Sequence, residues 1–182
     1  MGAVKICIVL VCLVAAGGNW GFGCGVVEGG ERIVKLKTED YERIIRIAAK
    51  EIGVVEGARQ NDGKRIREYL GYCYIKSHAA WCAAYLSFCF GQAGYKQPRT
   101  AWSPSLFPAS RLVKEPKPGV VYGIYFASLK RIAHCGLVEF VKNDLVYGLE
   151  GNTNLAGSRE GDGVFRKIRH KRTIYRYADW LD

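Results

Sequence analysis

Acidic residues are scarce in this sequence. Its 182 residues include 17 Asp and Glu against 27 Lys and Arg, which gives a formal net charge of +10. A basic surface indicates an anionic partner, such as nucleic acid, anionic lipid or an acidic cell-wall polymer. Internal repeats and low-complexity tracts are also lacking, and the 49% of apolar residues excludes wholesale disorder. The length fits a single domain, alone or with a short appendage.

No apolar run in the sequence is long enough to span a membrane. The segment from Ile6 to Ala16 is uninterrupted and apolar, but it has the length and position of the hydrophobic region of a secretory signal peptide. We expect cleavage after Ala16, which makes residues 1–16 a signal peptide. Lipoprotein processing is a second interpretation, in which the signal extends to residue 23 and a lipid on Cys24 anchors the protein to a membrane. A buried N-terminal strand or helix is a third. Either signal predicts export to the periplasm or cell envelope.

The cysteines do not form a dense disulfide framework. Removal of residues 1–16 leaves an odd number of them, so at least one thiol lies outside any internal disulfide. The pairing of Cys73, Cys89 and Cys135 stays open. A zinc site would draw on the spacing C-x4-H-x3-C-x6-C that starts at Cys73, which matches no compact zinc pattern. We therefore expect no metal and no cofactor.

The order of the predicted elements indicates an α+β fold. Residues 17–37 are Gly-rich and then basic, which is typical of a linker, and residues 38–182 form the single predicted domain. Thr38 is a plausible N-cap for a helix that ends at Gly53. Further helices are predicted over 64–70, over 78–92 with Ser77 as cap and Gly94 as stop, and near 106–112. The second of these is apolar nearly all round, which predicts a central buried helix. Alternating patterns then predict strands over 120–126, 133–141, 145–149, 164–170 and 173–177.

Cys82 and His134 are the candidate reactive pair. Cys82 lies in the first turns of the predicted central helix, where the helix dipole and the free N–H groups favour a thiolate nucleophile. His134, which begins a predicted strand, could take and return its proton although it lies far away in sequence. The ordinary alternatives are a small buried hydrophobic residue for Cys82 and a strand residue with a satisfied ring for His134.

Glu150 and Asn152 are the candidate third members of this site. If the two strands that flank Asn143-Asp144 form a hairpin, Glu150 lies roughly level with His134. A carboxylate or an amide at that place could orient the imidazole. We favour Glu150, since a carboxylate also stabilises an imidazolium. A simple turn at the end of a strand is the alternative.

Three blocks of sequence, in order, resemble a known enzyme group. These are Trp81-Cys82-Ala83-Ala84-Tyr85, then Lys117-Pro118-Gly119-Val120-Val121 with His134-Cys135-Gly136-Leu137-Val138, and then Glu150-Gly151-Asn152. Together they resemble the CHAP-type cysteine peptidases and amidases of the papain-like, NlpC/P60-related group, over roughly residues 40–155. Upstream, Glu56 and Asn61-Asp62-Gly63 resemble a branch of small wall-hydrolase-like proteins. Two positions depart from the group: Cys135 replaces a common apolar residue, and Val120 replaces an Asp that often follows the Pro-Gly.

The resemblance implies a papain-like α+β fold, with the nucleophile on a central helix that packs on a C-terminal antiparallel sheet. It implies that Cys82 is the nucleophile and His134 the general base and then acid. Glu150 would orient His134, with Asn152 assisting or replacing it, and the backbone N–H of Cys82 would contribute to the oxyanion hole. Trp81, Glu56 and Asn61 are then candidate substrate-binding residues. The implied activity is hydrolysis of peptidoglycan amide or peptide bonds through a thioester, by a monomer.

Three other functions stay open at this point. A non-catalytic wall-binding protein could keep the same fold, although a binding module needs no nucleophile. A secreted effector could attack the wall of a competitor. A nucleic-acid binder would use the basic run over 166–172, but no recognised nucleic-acid module surrounds that run and export argues against it. We therefore expect peptidoglycan rather than nucleic acid as the partner.

Overall fold

The structure, a computed structural model, describes residues 28–155 and 161–181. Within them the α-helices are α1 (Glu28–Ala49), α2 (Lys64–Tyr72) and α3 (Cys82–Gln92). The strands are β1 (Leu112–Val113), β2 (Val121–Phe126), β3 (Arg131–Lys142), β4 (Leu145–Thr153), β5 (Gly163–His170) and β6 (Arg176–Ala178). Short 3₁₀ turns cover Ser103–Leu106, Ala109–Arg111, Ala127–Leu129 and Lys171–Thr173.

The strands form one antiparallel sheet in the order β1-β6-β2-β3-β4-β5. Helices precede the main strands along the chain, so the predicted α+β class is confirmed. The largest strands, β2 to β5, follow one another as neighbours, because each connection is short enough to make an antiparallel pair. This sheet carries one half of the site described below.

The central helix α3 contacts both the other helices and the sheet. Residues Cys82 to Phe90 are all buried, as expected for a helix that is apolar nearly all round. The helix packs against α1 and α2 on one side and against β3 and β4 on the other. Gly94 follows it with φ +92°, a left-handed conformation that suits a residue without a Cβ. The predicted central burial and the predicted stop are therefore confirmed.

The helix starts differ from the sequence-based expectations. α1 begins at Glu28, so Thr38 is not its N-cap and residues 28–37 of the expected linker are helical. The reason is visible after Gly30: residues 31–37 contain no Gly or Pro and continue directly into the helix. α3 begins at Cys82 rather than at residue 78, and Trp81 occupies the N-cap position in place of Ser77. The expected signal peptide, Cys24 and residues 17–27 lie outside the described residues.

The proline-rich connection is less helical than expected. In place of a helix over 106–112 there are two 3₁₀ turns and the short edge strand β1, because Pro104 and Pro108 interrupt regular helical hydrogen bonding. The last strand starts at Arg176 rather than at Thr173, after a 3₁₀ turn. Among the described residues, no helix combines the length and the apolar character that a membrane crossing requires.

Candidate functional site

The site is built on the hairpin of β3 and β4. Asn143, with φ +55°, makes the tight turn, and the pairing runs from Lys142 opposite Leu145 to Leu137 opposite Leu149. An irregularity in the register lies between Val138 and Phe140. At the end of the hairpin away from the turn, two of the candidate residues are in contact. The Nε2 atom of His134 lies 2.7 Å from Oε2 of Glu150.

Glu150 is a fully buried carboxylate that four hydrogen bonds hold in place. Arg169, on β5, donates from Nε to Oε1 and from its terminal nitrogen to Oε2, both at 2.7 Å. The Tyr122 hydroxyl, on β2, donates to Oε1 at 2.6 Å, and His134 occupies Oε2. Burial would raise the pKa of Glu150, but the charge of His134 and the hydrogen bonds from Arg169 hold that pKa well below its usual range. Glu150 is therefore a fixed negative charge behind the imidazole.

Two glycines make room for this arrangement. A Cβ atom at Gly136 would overlap the Tyr122 ring and lie 2.8 Å from Cγ of Glu150. A Cβ atom at Gly148 would overlap the Tyr122 hydroxyl. The Tyr122 side chain therefore crosses β3 and β4 at the two positions where neither strand has a side chain on that face, and so reaches Glu150.

Cys82 faces His134 from the first position of α3. The thiol is almost completely buried and lies 3.3 Å from the Ser103 hydroxyl. His134 is near enough to help lower the pKa of this thiol, through hydrogen bonding and through its charge. Because Glu150 occupies Nε2 of the His134 ring, Nδ1 is the nitrogen that remains for the sulfur. One ring nitrogen of the imidazole thus contacts a carboxylate, and the other is the one that can serve Cys82.

Cys135, one of the departures noted in the sequence, lies next to the reactive pair. Hydrogen bonding from the Cys135 thiol, with the hydrogen bond and charge of His134, holds the pKa of Cys82 well below its usual range, although burial opposes this. Burial and the neighbouring Cys82 raise the pKa of Cys135, so Cys135 stays a thiol. Its sulfur also lies 4.0 Å from the Ser103 hydroxyl, so Ser103 is within reach of both sulfurs.

These charges favour an ion pair at the reactive end. Burial alone would lower the pKa of His134, but the charge of Glu150 and the hydrogen bond with Cys82 outweigh it and raise that pKa to about 10. With the pKa of Cys82 lowered and that of His134 raised, the surroundings favour the thiolate–imidazolium pair over the neutral pair. This arrangement can deliver a nucleophile and an acid together.

The remaining candidates form a second group beside the first. Asn152 donates from Nδ2 to Oδ1 of Asn61 at 3.1 Å, and both residues have positive φ. Asn152 thus contacts Asn61, while His134 takes Glu150 as its partner. Trp81 is fully buried and donates from Nε1 to Oε1 of Glu56 at 2.8 Å. Asn61 and Asn152 line the cavity described next, whereas Trp81 and Glu56 are not part of its lining.

A cavity of about 500 Å³ opens over Cys82 and His134. Asn61 and Asn152 lie on its wall, together with three cationic residues, Arg131, Lys167 and Arg169. Sequence reasoning placed none of these cations in the site, although Lys167 and Arg169 belong to the basic run over 166–172, and it also missed Tyr122 and Ser103. The alternation within β5 could have shown that two of these cations lie together, because Lys167 and Arg169 are two residues apart and so share a face of the sheet. For Ser103 no sequence signal was available, since it lies in an irregular segment.

All four cysteines within the described residues, Cys73, Cys82, Cys89 and Cys135, are free thiols. Within the same residues no group of three or more His, Cys, Asp and Glu side chains is arranged to hold a metal ion.

Comparison with known proteins adds little to this description. Neither a family model nor a curated protein matches the chain. A solved structure, "The crystal structure of Ly7917", superimposes with a TM-score of 0.45 and 15% sequence identity. The match covers 75% of this chain and 60% of that one, so the chain spans less than two thirds of the length of that structure. Similarity at this level carries no argument about fold or function.

Proposed function

We propose that the protein is an exported, CHAP-like cysteine hydrolase that cleaves amide or peptide bonds of peptidoglycan. The observation that carries the proposal is the placement of Cys82 and His134 on the wall of one cavity, with the buried Glu150 2.7 Å from the imidazole of His134. A nucleophile on the first turn of a buried helix, facing a histidine on the adjacent sheet, also supports a papain-like arrangement. The choice of peptidoglycan rests on the sequence resemblance and on the basic charge of the chain.

In the first half of the proposed reaction, the Cys82 thiolate attacks the carbonyl carbon of the scissile amide. The carbonyl oxygen becomes an oxyanion, which the free backbone N–H groups at the start of α3 stabilise. His134 then gives its Nδ1 proton to the amide nitrogen. The C–N bond breaks, the amine leaves, and the acyl group stays on Cys82 as a thioester.

In the second half, the neutral His134 takes a proton from a water molecule, and the resulting hydroxide attacks the thioester. The C–S bond breaks, the carboxylic acid is released, and the thiolate–imidazolium pair is restored. Glu150 remains ionised throughout, because its surroundings hold its pKa well below the usual range. Its part is to hold the ring and to stabilise the imidazolium.

The test is digestion of purified peptidoglycan with mass analysis of the released fragments, which also identifies the cleaved bond. Cys82→Ala should lower the rate by several orders of magnitude, since loss of the nucleophile in such a unit costs on the order of 10⁶-fold. The matched control is Cys73→Ala, another buried free thiol away from the cavity, which should keep the activity.

Alkylation of the thiols separates the enzyme from a wall-binding protein. At pH 6 iodoacetamide should react first with Cys82, because its pKa is lowered, whereas burial raises the pKa of Cys73 and of Cys89. The alkylated enzyme should lose turnover. Full hydrolysis by folded Cys82→Ala protein, or unchanged wall affinity with no hydrolysis by the wild type, would contradict the proposal.

A further inference from the structure

The cavity wall contains Arg and Lys side chains but, within the described residues, no carboxylate. Arg131, Lys167 and Arg169 line the cavity, and its lining within the described residues includes no Asp or Glu. Arg169 is neutralised, because both of its hydrogen bonds go to Glu150. Arg131 and Lys167 form no ion pair within the described residues, in contrast to Arg166 on the same sheet, which pairs with Glu139. Two uncompensated positive charges therefore face the space above Cys82 and His134.

These two cations are held in position although they lack acidic partners. The Arg131 guanidinium lies over the Trp102 ring, 4.2 Å from its centroid, and donates to the carbonyl of Ile132 at 3.2 Å. The Lys167 ammonium donates to the carbonyl of Asn154 at 2.6 Å. Each of these contacts uses part of the donor capacity, since a guanidinium has five N–H groups and an ammonium has three. The remaining donors are pre-positioned for an anion.

The two asparagines of the cavity wall are neutral. Asn61 and Asn152 are engaged with each other, so they add hydrogen-bonding capacity but no charge. The first turn of α3 adds the partial positive charge of a helix N-terminus at Cys82. A cationic substrate group would be repelled by Arg131 and Lys167, whereas a carboxylate would gain charge-assisted hydrogen bonds from them.

We propose that this cavity selects a substrate that carries a free carboxylate beside the scissile amide, and that Arg131 and Lys167 determine this specificity. The inference deepens the proposed function and rests on it. In a peptidoglycan stem, a D-glutamate linked through its γ-carboxyl group has a free α-carboxylate, whereas the amidated form has a neutral carboxamide at the same place. The two forms have almost the same shape, so charge recognition is what distinguishes them.

The test measures binding separately from turnover. The probes are two N-acetylmuramoyl-L-Ala-γ-D-Glu-L-Lys peptides with an amidated C-terminus, which differ only in an α-carboxylate or an α-carboxamide on the glutamate. Calorimetric titration into Cys82→Ala protein should show roughly 10-fold or more tighter binding of the carboxylate form, the size expected for hydrogen bonds to a charged group. Arg131→Gln and Lys167→Gln, each added to Cys82→Ala, should reduce that preference. The matched control is Lys142→Gln, an exposed cation at the far end of β3, which should leave the preference unchanged.

The outcomes distinguish this inference from the proposed function. Equal dissociation constants for the two probes, no binding of either, or a preference that survives both substitutions would overturn the inference, even if the wild type digests peptidoglycan. A carboxylate preference that depends on Arg131 and Lys167 would uphold the inference as a property of the site. If the wild type then released no fragments from peptidoglycan, the proposed function would fail and the carboxylate site would stand.

Discussion

At the residue scale, the candidate site depends on one buried carboxylate. Glu150 has His134 on one oxygen, Tyr122 on the other and Arg169 across both. These donors keep Glu150 charged in a place where burial would otherwise favour the neutral acid. The charge in turn helps to raise the pKa of His134 to about 10, so the imidazolium persists well above neutral pH.

Glu150→Gln should therefore move the high-pH limb of activity downward. The amide keeps a hydrogen-bond acceptor near Nε2 but removes the charge, so the pKa of His134 falls from about 10 toward its usual range. The limb reports loss of the imidazolium proton, and the pH profile of kcat/KM measures it. Circular dichroism establishes that the variant is folded.

Asn152→Ala is the comparison variant for Glu150→Gln. Asn152 bonds to Asn61, so its removal should leave the high-pH limb in place and lower the rate less. An unchanged limb in Glu150→Gln, together with nearly complete loss of activity in Asn152→Ala, would show that Asn152 is the partner of His134 instead.

At the scale of elements, β5 stabilises the site through one of two ion pairs that it makes with other strands of the sheet. Arg169 is partly buried against the fully buried Glu150 of β4, whereas the Arg166 side chain is 49% exposed and pairs with Glu139. Removing one partner of a buried pair leaves an uncompensated charge, whereas an exposed pair is screened by water.

Arg169→Met should lower the free energy of unfolding by about 3 kcal/mol. The matched change on the same strand, Arg166→Met, should lower it by less than about 1 kcal/mol. Urea denaturation of the two variants measures the difference. Equal losses would mean that Glu150 is stabilised without Arg169.

The glycine of β3, Gly136, gives a second test at this scale. Gly136→Ala would force a methyl group against Tyr122 and Glu150, and overpacking of this kind costs roughly 1–3 kcal/mol. Gly71→Ala, in α2, meets no atom within 4 Å and should be neutral or stabilising by up to about 1 kcal/mol. Thermal unfolding compares the two variants. A Gly136→Ala protein as stable as the wild type would show that Tyr122 can move aside without loss.

At the scale of the whole molecule, the proposed export depends on residues that precede the described part of the chain. The apolar segment from Ile6 to Ala16 predicts a signal peptide, and α1 starts at Glu28, after both proposed processing positions. Processing after Ala16 or before Cys24 would therefore leave every described element intact.

The protein isolated from its native cell envelope should accordingly lack the first segment. Intact-mass analysis should find a chain that begins after Ala16, or a lipid-modified chain that begins at Cys24. In the lipidated case, Cys24→Ala should abolish partitioning into membranes, while the soluble form needs no such residue. Recovery of residues 1–16 on exported protein would contradict the signal-peptide prediction.

The amino-acid sequence by itself determined the α+β class, the central burial of α3 and most of the strands. Each depends on local periodicity, which a chain carries without its partners. The sequence also pointed to His134 and Glu150, because a tight turn at Asn143 limits how a hairpin can pair. The start of α1 was missed, since Gly29 and Gly30 outweighed the helix-forming residues that follow them.

Only the tertiary structure decided which side chains surround those two residues. Arg169, Tyr122 and Ser103 come from three separate elements, and neither spacing nor composition relates them to Cys82. The structure places Glu150 against His134, whereas Asn152, with φ +52°, donates to Asn61. Long-range packing sets such contacts, because the positions that pack together across a sheet are far apart in the chain.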